Sequence, residues 1–283
     1  MAAQLRIGEL SRRTEVAPEL LRAWERRYGL LAPSRSDGGY RLYSEDDVER
    51  VRAMQANLAA GLSAAEAARL AIEAPHADQP GARGASALAA LREALDRFDG
   101  TAAHGILDQA LSELSLDALL GQIVLPYLAE LGARWERGEA SIAQEHFASS
   151  LLRGRLLGLA RGWDRGTGPR AVLACAPHEL HDLPLIVFGL ALRERGWRIT
   201  YLGADTPLET TAEAARTLEP QLVVISASAG GRLNESLDGL RRLGRNVPLA
   251  LAGPGAVGVK IATPILDGDP LTEADRVTDH RLA

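Results

Sequence analysis

The chain has 283 residues, which allows two or three compact domains, and its 46% hydrophobic and 24% charged residues are typical of a globular protein. No apolar run approaches the roughly 18 residues that a membrane span needs. No charged-then-apolar leader precedes Leu5, so we expect a cytoplasmic protein without a secretory signal or membrane contact. A single cysteine, Cys175, excludes an internal disulfide and a cysteine-based zinc site, and its apolar neighbours predict a small buried residue.

The net charge of -5 is unevenly distributed along the chain. Between Arg6 and Arg41, eight arginines face five acidic residues, whereas residues 76–283 carry 21 basic and 26 acidic side chains. The first part of the chain therefore has the positive balance that a nucleic-acid surface needs, although this asymmetry alone is weak evidence.

The first 43 residues have the pattern of a helix-turn-helix followed by a wing. Two short helices are predicted over 7–13 and 18–28, and Pro18 suits a first helical turn. A two-stranded wing is predicted over 33–43, with a tight turn at Asp37-Gly38-Gly39. The side chains that we expect to reach base edges and phosphates are Arg13, Glu19, Arg22, Arg26, Arg35, Tyr40 and Arg41.

Two further helices are predicted before residue 75. Ser44-Glu45-Asp46-Asp47 is a capping box, and the apolar residues Val48, Val51, Met54 and Leu58 follow it on one helical face. Ser63 opens a second short helix in the same way. The segment over 74–84 is rich in proline, glycine and small polar residues, which is typical of a linker.

In this part the sequence resembles the MerR family of transcriptional regulators. Ile-Gly-Glu-Leu at 7–10, Leu-Arg-Ala-Trp-Glu-Arg-Arg-Tyr-Gly-Leu at 21–30 and Gly-Gly-Tyr-Arg-Leu-Tyr-Ser at 38–44 stand in the family's order and spacing. The resemblance implies a winged helix-turn-helix that binds double-stranded promoter DNA. Many members continue into a dimerising coiled coil, but no sustained heptad follows Leu62. We therefore expect the rest of the chain to provide self-association as a dimer or tetramer.

The hydrophobic periodicity changes after residue 165. Residues 86–163 have apolar spacings of three and four, which predict a bundle of about four helices. Strand-like runs over 171–175, 198–202, 222–226 and 248–252 then alternate with helices near 184–195, 207–218 and 233–243. This alternation predicts a Rossmann-like, doubly wound parallel sheet, whose ligands bind beyond the carboxyl ends of the strands. Residues 271–283 are polar and strand-poor, so we expect the last part of the sheet to be missing or irregular.

In the helical part, nine residues separate Trp135 from Glu145-His146, and His181 follows the first strand within Pro177-His178-Glu179-Leu180-His181-Asp182. In these residues the second half resembles MerR regulators of the cobalamin-binding CarH and LitR type. The resemblance implies that His181 ligates cobalt from below, with Asp182 or Glu179 orienting it. It further implies that the helical part and later strand ends enclose adenosylcobalamin through Trp135, Glu136, Ile142, Glu145, His146, Ser226, Ser228, Gly253 and Gly255.

Two positions depart from that family pattern. The motif His-x-x-Gly has Pro184 as its fourth residue, and proline restricts the backbone of its neighbours. The second histidine of the light-sensing members is replaced by Glu136, which cannot supply an imidazole. These departures support an alternative in which a degenerate sensor binds a different molecule or a protein partner.

The sequence thus predicts a DNA-binding regulator, a repressor controlled by adenosylcobalamin and open to light control. We expect a DNA-binding domain over 1–75, a linker over 76–84, a four-helix-bundle cap over 85–165 and a Rossmann-like domain over 166–283. A cobalamin-dependent mutase or methyltransferase would need a substrate-binding barrel of ~250 residues, for which the chain has no room. We therefore expect no enzymatic activity.

Overall fold

A computed structural model describes residues 5–35, 39–73 and 80–279. The chain divides into two compact units, residues 1–86 and 87–283. The first unit contains the predicted helices and the wing, and the second contains the bundle and the parallel sheet, so the predicted fold class is confirmed.

The first unit packs four helices against a short hairpin. Its elements are α1 (Ile7–Thr14), α2 (Pro18–Tyr28), β1 (Ser34–Arg35), β2 (Arg41–Leu42), α3 (Glu45–Ala59) and α4 (Ala64–Glu73). β1 and β2 pair antiparallel, and Leu5 forms an additional bridge with Tyr43. The predicted turn between the strands falls on residues 36–38, which lie outside the described residues.

Local signals explain where these helices begin and end. Pro18 occupies the first turn of α2, where its missing amide is not needed, and Gly29 ends that helix with a φ of 65°. α3 begins with a complete capping box, in which the Ser44 hydroxyl accepts from the Asp47 amide and the Asp47 carboxylate accepts from the Ser44 amide. The side chains that close the core are Leu10, Leu21, Trp24, Leu30, Tyr43, Val51 and Met54.

The bundle has four helical columns, and the first of them begins at Pro80, before the boundary between the two units. They are α5 (Pro80–Asp96), α6 (Gly100–Glu113), the continuous column of α7 (Leu116–Leu119), a π-helical turn (Leu120–Val124) and α8 (Leu125–Glu136), and finally α9 (Ile142–Leu159). The predicted linker over 76–84 is therefore too long, because α5 already begins at Pro80. Proline is favoured at a first helical turn, so its presence marked a helix start as well as a loop.

The third column changes its hydrogen-bond pattern next to a proline. Pro126 lies in the first turn of α8 and has no amide to donate, and the preceding Leu125 donates to Leu120 with the wider spacing of a π-helix. Contrary to the expectation from the sequence, Leu116–Glu136 is long and apolar enough by length and composition to cross a membrane. Its buried side chains, including Ile123 and Tyr127, form part of the bundle core, which accounts for this composition.

The sheet contains five parallel strands in the order β4-β3-β5-β6-β7. The strands are β3 (Arg170–Cys175), β4 (Arg198–Gly203), β5 (Leu222–Ser226), β6 (Leu249–Ala252) and β7 (Ile265–Leu266). The helices that follow them are α10 (Leu183–Glu194), α11 (Leu208–Leu218), α12 (Gly230–Glu235), α13 (Leu237–Gly244) and α14 (Pro270–Thr278). The chain winds to one side of β3 through β4 and to the other through β5, so the switch point of the topology lies between β3 and β5.

Alternate residues of β3 face the two helical layers. Leu173 and Cys175 pack with α10 and α14, whereas Val172 and Ala174 pack with α11 and α13. Cys175 is fully buried, as predicted, and burial raises the pKa of its thiol to about 12. The sheet ends in the two-residue strand β7, and α14 follows it and packs on the same face as α10.

Candidate functional site

The second helix of the first unit presents a polar face to solvent. Glu19, Arg22 and Arg26 are all exposed on α2, and Arg13 is exposed at the end of α1. Arg35 ends β1, directly before the undescribed residues 36–38. The exposed side chains have the charge and reach that contacts with base edges and phosphates require.

A single carboxylate holds the wing against this helix. Arg41 Nε donates to Glu25 Oε1 at 2.9 Å, and the Tyr43 hydroxyl donates to Glu25 Oε2 at 3.0 Å. Burial, and after it the hydrogen bond to Glu25, raises the pKa of Tyr43 to about 12, so the phenol remains a donor. Arg41 therefore has a structural contact as well as its predicted role at DNA.

The exposed Tyr40 stacks against an arginine that sequence analysis did not single out. The guanidinium carbon of Arg6 lies 5.0 Å from the centre of the Tyr40 ring, a cation–π arrangement. Arg6 is the residue directly before α1. Arg6 lies outside the predicted helices, and the wing and the start of α1 come together only in the fold. No sequence pattern therefore predicted its contact with Tyr40.

At the carboxyl edge of the sheet, the loop after β3 exposes two histidines, His178 and His181. The His181 side chain is 67% exposed, and the neighbouring Glu179 side chain is fully buried. Glu179 Oε1 accepts a hydrogen bond from the His181 backbone amide at 2.9 Å and lies 2.8 Å from His181 Nδ1. With Nδ1 held by the carboxylate, Nε2 is the nitrogen that His181 can offer to a ligand.

The other oxygen of Glu179 is bound from the loop after β5. Ser228 donates to Oε2 through both its amide and its hydroxyl, each at 2.6 Å, and Arg232 forms an ion pair with the same oxygen. Burial raises the pKa of Glu179, but the hydrogen bonds from Ser228 and His181 outweigh it and lower the pKa to about 2. The structure therefore selects Glu179 as the residue that orients His181.

Asp182 has a different position from the one predicted for a cofactor contact. Its carboxylate is buried between Arg153 Nε, at 2.8 Å, and the Tyr201 hydroxyl, at 2.6 Å. Burial and the hydrogen bond to Asp182 raise the pKa of Tyr201, which keeps the phenol as a neutral donor. Because Arg153 belongs to α9 and Tyr201 to β4, Asp182 ties the histidine loop to both the bundle and the sheet.

Pro184 occupies a position that is favourable for proline. It lies in the first turn of α10, where a proline needs no amide hydrogen bond, and its own side chain is exposed. The left-handed backbone conformation at His178, with a φ of 63°, turns the chain before this point. Asp205 Oδ1 accepts from the His178 amide at 2.7 Å and so supports the turn.

The later strand ends contribute backbone packing more than side chains. A Cβ on Gly253 or Gly255 would lie 2.7 Å or 2.8 Å from the carbonyl oxygen of Ala227. Both positions therefore require glycine because two loops approach each other closely. Ser226 is buried at the end of β5.

The cap carries exposed apolar side chains at the end of α8 and the start of α9. Trp135 is 55% exposed and Ile142 is 68% exposed, and Glu136 is exposed beside the tryptophan. His146 Nδ1 lies 3.1 Å from Glu145 Oε2, and Ser149 donates to the other Glu145 oxygen at 2.7 Å. Large exposed apolar side chains are available here for contact with a ligand.

Three stretches of the chain match known families. Residues 5–72 match the MerR HTH family regulatory protein, and residues 87–157 and 169–258 each match a B12 binding domain. Over 248 residues the chain is 35% identical to the HTH-type transcriptional repressor CarH of Myxococcus xanthus, covering 83% of each chain. Its identity to the repressor CarA of the same organism is also 35%, over 89% of this chain and 87% of that one.

The chain belongs to the CarH and CarA family of MerR-type regulators. The resemblance seen in the sequence is thereby confirmed, and the chain is a DNA-binding regulator with a cobalamin-binding module. A corrinoid protein for monomethylamine from Methanosarcina barkeri shares the fold, with a TM-score of 0.58 at 17% identity over 67% of this chain and 96% of that one.

The residues at the sheet edge fit the lower side of a cobalamin. Imidazole is a good ligand for a divalent or trivalent transition metal, and Nε2 of the exposed His181 is left available by the contact of Nδ1 with Glu179. The loop begins at the switch point of the sheet, where ligands of this fold class bind. Pro184 fits the first turn of α10 and does not exclude the cofactor.

We expect Tyr201→Phe to destabilise the second unit by about 1–3 kcal/mol, because it leaves one oxygen of the buried Asp182 without its donor. The Tyr201 ring also packs edge-on against Trp163, with 5.8 Å between the ring centroids, and phenylalanine can keep this contact. Urea denaturation followed by circular dichroism measures the change. Tyr127→Phe is the matched control, since no described residue hydrogen-bonds that buried phenol. Equal stabilities of the two variants would contradict the assigned role of Tyr201.

Proposed function

We propose that the chain represses transcription by binding operator DNA and that adenosylcobalamin controls this binding. The observation that supports it most directly is the pairing of Glu179 with an exposed His181 at the switch point of the sheet. The same chain exposes an arginine-bearing helix on its first unit. When bound, the cofactor would supply a cobalt ion that can accept the imidazole of His181 and a light-sensitive bond to its adenosyl group.

This proposal assigns a separate role to each segment of the chain. Residues 1–75 bind DNA, residues 85–165 form the cap, and residues 166–283 form the sheet that holds the lower ligand. His181 supplies that ligand, while the cap contributes Trp135, Glu136, Ile142, Glu145 and His146 to the upper side. The loops that carry Ser226, Ser228, Gly253 and Gly255 shape the pocket for the remaining part of the cofactor, and Asp182 acts by holding its loop in place.

Regulation is a better interpretation than catalysis for this chain. The relatives that it covers to 83% and 87% of their length are named as transcriptional repressors. The described residues form a helix-turn-helix, a bundle and one sheet, and none of these is a substrate-binding barrel. We infer that the protein acts in the cytoplasm and has no enzymatic activity.

For DNA recognition, we expect Arg22→Ala to relax base preference by about 1–3 kcal/mol, if the guanidinium reads a base edge with two hydrogen bonds. Arg41→Ala should weaken binding to all sequences, because it removes a cation and also the contact of the wing with Glu25. Fluorescence anisotropy with a duplex selected by the wild-type chain measures both effects.

The control for these variants is Arg97→Ala, which removes an exposed arginine just after α5 in the second unit, whose described ion pair is with Glu93 of that helix. A wild-type chain that binds no duplex at low salt would contradict the DNA-binding role. Unchanged sequence preference in Arg22→Ala would remove Arg22 from the base-reading set.

For cofactor binding, we expect His181→Ala to abolish adenosylcobalamin binding or to remove the protein imidazole from the spectrum. Absorbance of the desalted protein, recorded in the dark, distinguishes these results from wild type. His178→Ala is the control, because this histidine is exposed in the same loop and its backbone contact with Asp205 survives the substitution. A wild-type spectrum for His181→Ala would contradict the assignment of the lower ligand.

The same samples test the replacement at position 136 after illumination with green light. Glu136 offers a carboxylate and no imidazole, so we expect no spectral signature of a second protein imidazole. Such a signature would show that another histidine, such as His146 or His178, takes this role. A wild-type chain without any spectral change on adding adenosylcobalamin would instead favour a sensor for a different molecule.

We also propose that the second unit provides self-association. The last described helix of the first unit, α4, has only 10 residues, which is too short for a stable two-stranded coiled coil. Light scattering on the full chain, with and without adenosylcobalamin in the dark, is expected to show a dimer or tetramer in at least one state. A strict monomer in both states would contradict this proposal.

A further inference from the structure

Arg232 touches the histidine loop but belongs to a different part of the sheet. It lies in α12, after β5, and its side chain is 30% exposed. Its guanidinium forms an ion pair with Glu179 and also donates to the Ser228 hydroxyl at 3.0 Å. No sequence pattern predicted a functional role for Arg232.

The two oxygens of Glu179 face different partners. Oε1 meets the amide and ring of His181, whereas Oε2 is held by Ser228 and Arg232. A carboxylate is planar and rigid, so the contacts that fix Oε2 also fix the direction from which Oε1 meets the imidazole. Arg232 therefore acts on His181 although the two side chains need not touch.

The charge of Arg232 adds to the effect of its geometry. The Glu179 carboxylate is fully buried, and an ionised carboxylate without a paired cation is strongly disfavoured in a protein interior. Ser228 and the His181 amide are neutral donors. Among the described residues, Arg232 is the only arginine or lysine in an ion pair with Glu179.

The contact also joins the two strands at the switch point. Glu179 follows β3 and Arg232 follows β5, and these strands are hydrogen-bonded neighbours. The arginine thus links the loop that carries His181 to the segment that follows β5. Nη1 of the guanidinium makes both contacts, so one nitrogen binds the carboxylate and the hydroxyl at once.

We propose that Arg232 is a positioning residue for the lower cobalt ligand, holding Glu179 and through it the imidazole of His181 in the ligating orientation. This inference rests on the proposed role of His181 in cobalamin binding. The arginine itself does not contact the cofactor in this account. Its removal should affect how His181 ligates cobalt more than whether the sheet folds.

The test compares Arg232→Met, Arg232→Lys and wild type with adenosylcobalamin in the dark. We expect Arg232→Met to bind at least about tenfold more weakly, with part of the bound cofactor lacking the spectral signature of a protein imidazole. Arg232→Lys restores the charge without the planar head, so its affinity and spectrum should lie between those of Arg232→Met and wild type. Thermal unfolding of the cofactor-free variants reports any loss of stability separately. A purely structural role would lower the unfolding temperature without changing the spectrum of the bound fraction.

A double-substitution cycle tests whether the effect passes through Glu179. In a Glu179→Gln background, Arg232→Met should change the affinity by less than about twofold, because the partner of the arginine is already neutral. Arg216→Met is the control, since the described hydrogen bond of this exposed arginine is to its own helix.

The results separate this inference from the proposal on which it rests. A wild-type spectrum and affinity in Arg232→Met would overturn the positioning role and leave the role of His181 intact. Equal effects of Arg232→Met with and without Glu179 would also overturn it, because the arginine would then act by another route. A wild-type protein that shows no imidazole ligation at all would overturn the proposed function itself.

Discussion

The buried carboxylate of Glu179 is the contact on which the candidate site depends. It lies at the switch point of the sheet, where strand topology leaves a crevice between two loops. Hydrogen bonds from His181 and Ser228 and the ion pair with Arg232 compensate for its burial and keep it ionised. An ionised carboxylate can only accept hydrogen bonds, so it holds Nδ1 of the histidine as a donor and directs Nε2 away from the sheet.

The histidine loop is supported from both sides of His181. Glu179 connects it to the loop after β5, and Asp182 connects it to Arg153 of the bundle and to Tyr201 of β4. These two acidic residues flank the histidine closely in sequence, but their side chains reach different layers of the fold. The exposed imidazole is therefore carried by a loop whose backbone is held by buried charges, which favours a defined orientation over free rotation.

Sequence patterns predicted the architecture well and the supports of the site only in part. Apolar periodicities located the bundle and four of the five strands, and the position of His181 after β3 followed from the family pattern. The choice between Glu179 and Asp182 as its orienting residue remained open, because both are close in sequence and only side-chain direction separates them. Arg232 and Arg153 were missed because each meets its partner across tens of residues, through packing that no local pattern records.

Pro184 can also be interpreted as a signal for a helix start. Proline after the histidine suggested an altered loop, but a proline is also a favourable first-turn residue, and α10 begins at Leu183. The loop ends where the helix starts, so the restriction that proline imposes coincides with a conformation that the helix needs. The replacement at position 136 is of a different kind, since it changes the chemistry of an exposed side chain while leaving the backbone of α8 helical.

One helix connects the two sides of the candidate site. Glu145, Ser149 and Arg153 follow one another at intervals of four residues on α9, so they lie along one face of the helix. Glu145 is a half-buried residue of the cap, and Arg153 binds Asp182, the residue next to His181. Eight residues of helix span about 12 Å, and a helix of this length is stiff. The position of the cap and the position of the histidine loop are therefore linked by a rigid element, and the two sides of the site cannot be placed independently of each other.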